Sequence, residues 1–250
     1  MAVQIYPLNT GFISLDMGAY ITGGRGYGQK VEVPTNAFLV IDGDSRILVD
    51  TGMADTERAN WHHAGSHQPD GFRIDQRLAA LGVSTQDVEA VIFTHLHWDH
   101  CFNMKLFRKA RFFVSRKELE FAIDPHILYL KSYESPKLGI SPPFAGVDFQ
   151  AVDGEYRYSS NIVMFPTPGH CPGHQSVEIT TEAGVYVIAG DAMFADENLQ
   201  PDKDRGLPFT PMGRYVNVFE MYASMEEIVR RGNVVLTGHG VGALRQNRWP

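Results

Sequence analysis

Thr94-His95-Leu96-His97-Trp98-Asp99-His100 follows directly on the apolar run Val91-Ile92-Phe93, and its reading decides the fold. Three imidazoles and a carboxylate fall within six residues. Residues two apart in an extended segment project to the same face, so His95 and His97 can reach one metal together. Asp99 and His100 follow where the chain must turn, and can point to a second position beside the first. A solvated histidine-rich loop does not ordinarily follow a buried strand with this spacing, so the stretch reads as a metal site, and one left partly open to water is catalytic.

The chain has 250 residues, 44% apolar and 20% charged, which suits an ordinary globular protein with a sizeable core. We read it as one domain, 1–250. A net charge of −7 argues against nucleic acid or an anionic membrane as partner, since both repel it. No apolar run is long enough to cross a bilayer, and Met1 to Gly11 lacks a basic start before an apolar block. The expected location is the cytoplasm, with Cys101 and Cys171 as free thiols rather than a pair or ligands.

Working outward, the N-terminal segment carries Gly11, Gly18, Gly23, Gly24, Gly26 and Gly28 and reads as loop-rich, too irregular for a phosphate-binding fingerprint. Asn36 to Ile41 and Arg46 to Asp50 read as strands joined by Asp42-Gly43-Asp44-Ser45. Asp50 closes the second strand, either as a turn residue or as a partner holding a ligand imidazole. His62, His63 and His67 lack an apolar framework and read as surface loop histidines near the site mouth, outside the ligand set. Phe72 to Leu81 has helical spacing with Gly82 as its stop, and Ser115 with Glu118 reads as a capping box opening a helix through Ile123. Asp124 to Val152 is proline-interrupted loop, whose Tyr129, Tyr133, Leu138, Ile140 and Phe144 either wall a pocket or cover core.

Three more apolar strands end on candidate ligands. Ile162 to Phe165 leads to Pro168-Gly169-His170-Cys171-Pro172-Gly173-His174, where His170 is the better ligand by position and His174 is expected to hydrogen-bond the turn. Val185 to Ala189 leads to Gly190-Asp191, a carboxylate at a buried strand end that needs a partner or a metal. Val234 to Thr237 leads to Gly238-His239-Gly240, after a helix marked by Val216, Phe219, Tyr222, Met225 and Ile228 and stopped by Gly232. The strand ends together supply five His and two Asp. One four- or five-coordinate ion cannot use seven such ligands, but two ions about 3.5–4 Å apart can, with Asp191 as the natural bridge.

His95-Leu96-His97-Trp98-Asp99-His100, with His170, Asp191 and His239, resembles the full ligand set of the metallo-β-lactamase superfamily, and Leu48-Val49-Asp50-Thr51-Gly52 is typical of it too. Within the superfamily the chain looks most like the N-acyl homoserine lactone lactonases and related small lactonases. That likeness rests on its length, the Leu15-Asp16 region running to Pro34, Asp50-Thr51-Gly52-Met53, and Thr167-Pro168-Gly169-His170-Cys171-Pro172-Gly173-His174-Gln175-Ser176, and it spans nearly the whole chain. The resemblance implies an αββα sandwich of two mixed sheets flanked by helices. It implies His95, His97 and His170 on a first ion, Asp99, His100 and His239 on a second, and Asp191 bridging.

The implied activity is opening of a lactone, such as an N-acyl homoserine lactone, by a metal-bridging hydroxide, with a quorum-quenching role within its scope. Asp99 then accepts and returns a proton, and Asp191 holds the ions. Zinc is the expected metal, with manganese, iron and cobalt also suited to such donors. The expected partner is a small carbonyl ester, bound by a monomer or homodimer. These lactonases usually carry a tyrosine three residues after the bridging aspartate, and here that place is Phe194; Tyr20, Tyr27 and Tyr215 are the substitutes considered. The rival readings are a glyoxalase II-like thioester hydrolase, a phosphodiesterase or nuclease, and a metal-dependent binding or sensor protein. A flavodiiron-like redox role is disfavoured by His97, where those proteins usually carry glutamate.

Overall fold

The computed structural model describes residues 2–250. Two sheets lie face to face. The first runs β1 (Gln4–Asp16), β2 (Lys30–Asp42), β3 (Ser45–Val49), β4 (Ala90–Ile92), β5 (Arg111–Ser115), β6 (Phe149–Val152) in spatial order, antiparallel up to β3 and parallel beyond. The second holds β7 (Tyr156–Arg157), β8 (Ile162–Pro166), β9 (Gln175–Thr181), β10 (Gly184–Gly190) and β11 (Val234–Thr237), antiparallel except for β10 with β11.

Alternation decides which face each side chain serves. Phe38, Val40, Ile47, Val49 and Ile92 turn inward and meet Ile162, Met164, Val177, Ile179, Ile188 and Leu236 of the other sheet. Leu39, Leu48, Val91 and Val114 turn outward against Ile74 and Leu78 of α2 (Ile74–Ala79) and Ala122 of α4 (Arg116–Ile123). On the far side, Val187 and Ala189 meet Met225 and Ile228 of α5 (Val218–Arg231), whose inward stripe recurs every three to four residues. Asn217 caps α5 by accepting from the Phe219 and Glu220 amides. The two remaining helices are α1 (Thr56–His62) and α3 (Trp98–Cys101). Two sheets between helical layers is the sandwich the sequence predicts.

Four local expectations change, the first being that Phe149–Val152, inside the stretch read as loop, pairs with β5 as β6. The N-terminal segment is not loop-rich: a thirteen-residue strand holds it, pairing with β2 across a register shift that absorbs Gly11, and only the stretch beyond Asp16 is irregular. Ser115 makes no side-chain cap, because Glu118 is turned wholly inward and has other donors. His62 is not on a surface loop; it is buried on α1, its ring stacked on Trp98 at 4.1 Å between centroids, with Nε2 2.9 Å from Glu134 Oε1.

Candidate metal centre

The strand ends converge. β4 stops at Ile92, and the extended chain beyond it delivers His95 and His97 before α3 carries Asp99 and His100. β8, β10 and β11 stop just short of His170, Asp191 and His239. Gly190 takes φ +52, and a Cβ there would meet His174 Nε2 and the Thr94 side chain, so the tight step into Asp191 excludes a larger residue.

Two groups of donors result. In one, His97 Nδ1 lies 3.0 Å from His95 Nε2 and 3.1 Å from His170 Nε2, with Asp191 Oδ2 at 3.8 Å from His95 and 3.3 Å from His170. In the other, Asp99 Oδ2 lies 3.7 Å from His100 Nε2 and 3.5 Å from His239 Nε2. Asp191 Oδ1 is 3.3 Å from each of those two nitrogens. A tetrahedron built on bonds of about 2.0–2.1 Å has edges of about 3.3–3.4 Å, so the separations match a ligand shell.

The ring protons make the same point. His100 Nδ1 faces Asp50 Oδ2 at 2.8 Å, His170 Nδ1 faces the Arg214 carbonyl at 3.0 Å and His239 Nδ1 faces the Pro34 carbonyl at 2.8 Å. Each of those oxygens only accepts, so the proton sits on Nδ1 and a lone pair on Nε2 faces the centre. His95 Nδ1 likewise faces Thr94 Oγ1 at 3.0 Å, and that hydroxyl is already donating to Asp50. Lone pairs aimed at one another at about 3 Å repel unless a cation lies among them. His100 Nε2, His239 Nε2 and Asp191 Oδ1 are buried with no hydrogen-bond partner, which a protein avoids without a compensating ion. The donor set therefore fits two divalent cations.

Charge balance agrees. Burial, with the neighbouring imidazoles, pushes His95 and His97 well below the usual histidine range, which keeps them in the neutral form that binds metal. Burial works to raise the Asp191 carboxyl, but His100, His239 and His170 outweigh it and hold the group well down. For His100, burial is outweighed by the Asp191, Asp99 and Asp50 carboxylates, which hold its imidazole well up, so the spot attracts positive charge and a cation takes the place that a second ring proton on Nε2 would otherwise hold.

Each predicted ligand is thus brought to one place. Asp50 is the partner of the His100 imidazole rather than a plain turn residue; it also accepts from the Thr94 amide and hydroxyl at 2.8 Å each. His174 is a support too, with Nδ1 2.8 Å from Thr167 Oγ1 and Nε2 accepting the Asp191 amide at 3.0 Å. Cys101 and Cys171 are free, buried and outside both groups.

Sequence reasoning missed Glu118. Its carboxylate is fully buried and accepts from the Leu96 amide at 2.9 Å, Tyr133 Oη at 2.8 Å, Cys171 Sγ at 2.9 Å and the Gly173 amide. Burial pushes its carboxyl upward against those donors. One side chain thereby ties the loop between His95 and His97 to the loop bearing His170. A Cβ on Gly173 would run into the Glu118 backbone. The only advance signal was an acid three residues into a helix, which reads first as a cap.

A cavity of about 240 Å³ opens over the ligands. Asp99, Asp191, His97 and His170 form its floor, and Ile13, Leu15, Trp98, Leu128, Phe194 and Met212 give it an apolar wall. From the 124–152 segment, Leu128, Lys131 and Ser132 reach it, whereas Tyr129, Tyr133 and Phe144 pack in the core and Leu138 is exposed. His63 lines the cavity as well, and His67 stacks on Phe12 away from it. No helix among the described residues is long and apolar enough to cross a membrane.

The N-acyl homoserine lactonase of Bacillus cereus is 26% identical over 224 residues, covering 86% of this chain and 84% of the relative. That of Bacillus thuringiensis is 25% identical over 248 residues, covering 95% and 93%. Among solved structures, a quorum-quenching N-acyl homoserine lactone lactonase superposes with a TM-score of 0.78 at 24% identity, over 98% of this chain and 95% of its own. A dizinc quorum-quenching lactonase superposes at 0.72 and 19% identity, over 95% and 87%. At those identities the structures speak to the fold. The sequence profile of the metallo-beta-lactamase superfamily matches residues 31–239, and the chain belongs to that superfamily.

Proposed function

We propose that this protein is a dinuclear-metal hydrolase that opens lactone rings, with N-acyl homoserine lactones, the substrates named for its relatives, as the first class to test. The observation that carries the reading is the division of Asp191, with Oδ2 toward His95 and His170 and Oδ1 toward His100 and His239. His95, His97 and His170 would hold one ion, Asp99, His100 and His239 the other, and Asp191 both; zinc is the metal we expect. Such ions, when bound, supply Lewis acidity and acidify water near neutral pH.

The chain supplies the rest. Asp99 lies at the cavity floor with its side chain slightly exposed, placed to take a proton and return it to the leaving alkoxide. The apolar wall seats the acyl or ring portion and excludes water from it. Phe194 is buried and stacked on His239 at 4.1 Å, so it orders a ligand ring and donates no hydrogen bond. Of the three tyrosines considered in its stead, Tyr20 lines the cavity, whereas Tyr27 and Tyr215 are exposed; we assign the substrate carbonyl contact to Tyr20.

A hydrolysis screen of metal-loaded protein against acyl homoserine lactones, aromatic lactones, thioesters and phosphodiesters tests the reading. Lactone opening is the expected result, and activity confined to phosphodiesters or thioesters overturns it.

A further inference from the structure

Two cations share the cavity wall, and neither has a carboxylate partner among the described residues. Arg58, Arg116, Arg205 and Arg231 each sit within salt-bridge distance of an acid. Arg214 does not. Its guanidinium lies 4.3 Å from the Tyr129 ring centre and donates to the Leu128 carbonyl at 3.1 Å, leaving most of its five N–H groups free. The Lys131 ammonium donates to the His62 carbonyl at 3.0 Å and lies 4.9 Å from the centre of the Trp61 ring.

Both charges reach one wall residue. Burial first, then His62, Lys131 and Arg214, push the His63 imidazole down to about 4 against the pull of Asp99. The two aspartates that line the cavity belong to the ligand groups, so the wall has no acid of its own. This occurs in a chain whose net charge is −7, where anions are otherwise repelled. Beside the cations the wall is apolar, with Leu128, Trp98 and Met212, which suits an organic acid rather than a bare inorganic anion.

We propose that the cavity takes a lactone carrying a carboxylate on the side away from the reacting carbonyl, and that Arg214 and Lys131 hold that carboxylate. The proposal deepens the hydrolase reading and rests on it. Water adds across the acyl C–O bond, the ring opens to a hydroxy acid, and the distal carboxylate is unchanged, so no further reactant is needed.

The test compares two probes on metal-loaded protein: an α-(succinylamino)-γ-butyrolactone and its terminal carboxamide, equal in shape but not in charge. The expected kcat/KM favours the carboxylate by about tenfold or more, the size of one charge-assisted contact. The ratio shrinks at high salt and falls toward unity in Arg214→Gln, with Lys131→Met giving a smaller fall. Equal rates for the two probes, or a ratio unchanged in both variants, overturns the proposal while leaving the lactonase reading intact. Failure of both probes and of neutral acyl homoserine lactones to open overturns that reading instead. Calorimetric titration then decides the anion site: tighter binding of the carboxylate probe, lost in Arg214→Gln, supports it, and equal binding sinks it.

Discussion

The Glu118 carboxylate accepts the backbone N–H of Leu96 at 2.9 Å, and Leu96 is the residue between His95 and His97. Its second oxygen accepts from Cys171 Sγ, next to His170. Glu118→Gln turns a donor toward groups that themselves donate. We expect a loss of about 2–4 kcal/mol in stability and a fall of about 10–100-fold in metal affinity. Thermal unfolding and chelator competition measure the two; an affinity within twofold of the parent contradicts the role.

Gly173 tests the same junction sterically. An alanine there, in the turn before β9, drives its methyl into the Glu118 backbone in the first turn of α4. Gly173→Ala should cost about 1–3 kcal/mol or more, read as a lower unfolding midpoint. An unchanged midpoint would show that the loop relaxes freely.

The two donor groups that the structure brings together could be read from the chain because each member follows an apolar run. Such a strand end has few places to go, and the spacing of His95, His97, Asp99 and His100 is local. Glu118, His62 and Glu134 were hidden for the opposite reason. Their partners lie far along the chain, and an acid early in a helix or a histidine among polar residues takes its meaning from tertiary contact. The strand Gln4–Asp16 was obscured by Pro7 and Gly11, which break the apolar rhythm, although β2 supplies partners on both sides of the register shift. Arg214 belongs with the hidden set, since nothing in Met212-Gly213-Arg214 announces that the loop returns over Tyr129.

Asp50 holds the proton of His100 Nδ1 in place from 2.8 Å, and the residue takes φ +60 to do so. Asp50→Asn can keep the shape but loses one acceptor oxygen, so the imidazole proton is no longer held and its Nε2 lone pair no longer fixed. The ion at His100 should then bind about 10–100-fold more weakly, and the ion at His95 less so, since Asp50 reaches that ring only through the Thr94 hydroxyl. Stepwise chelation followed by metal analysis checks this, and equal weakening of both ions would contradict it.

His63 predicts a pH dependence. Its folded imidazole protonates near about 4, against about 6.5 when unfolded, so between those values the unfolded chain binds more protons. Stability therefore rises with pH across that window, and the contribution present above about pH 6.5 is lost as pH falls toward 4. The size is on the order of 1–3 kcal/mol. Unfolding midpoints measured from pH 4 to 7 should show a shallower slope in His63→Gln than in the parent; parallel slopes would rule this out.

The central claim is that one carboxylate serves two cation sites. Equilibrium dialysis against divalent metal, followed by elemental analysis of parent and Asp191→Ala protein, measures it directly. The account predicts two equivalents per chain in the parent and a clear loss from both sites in the variant. One equivalent or none in the parent, or two retained without Asp191, would contradict it.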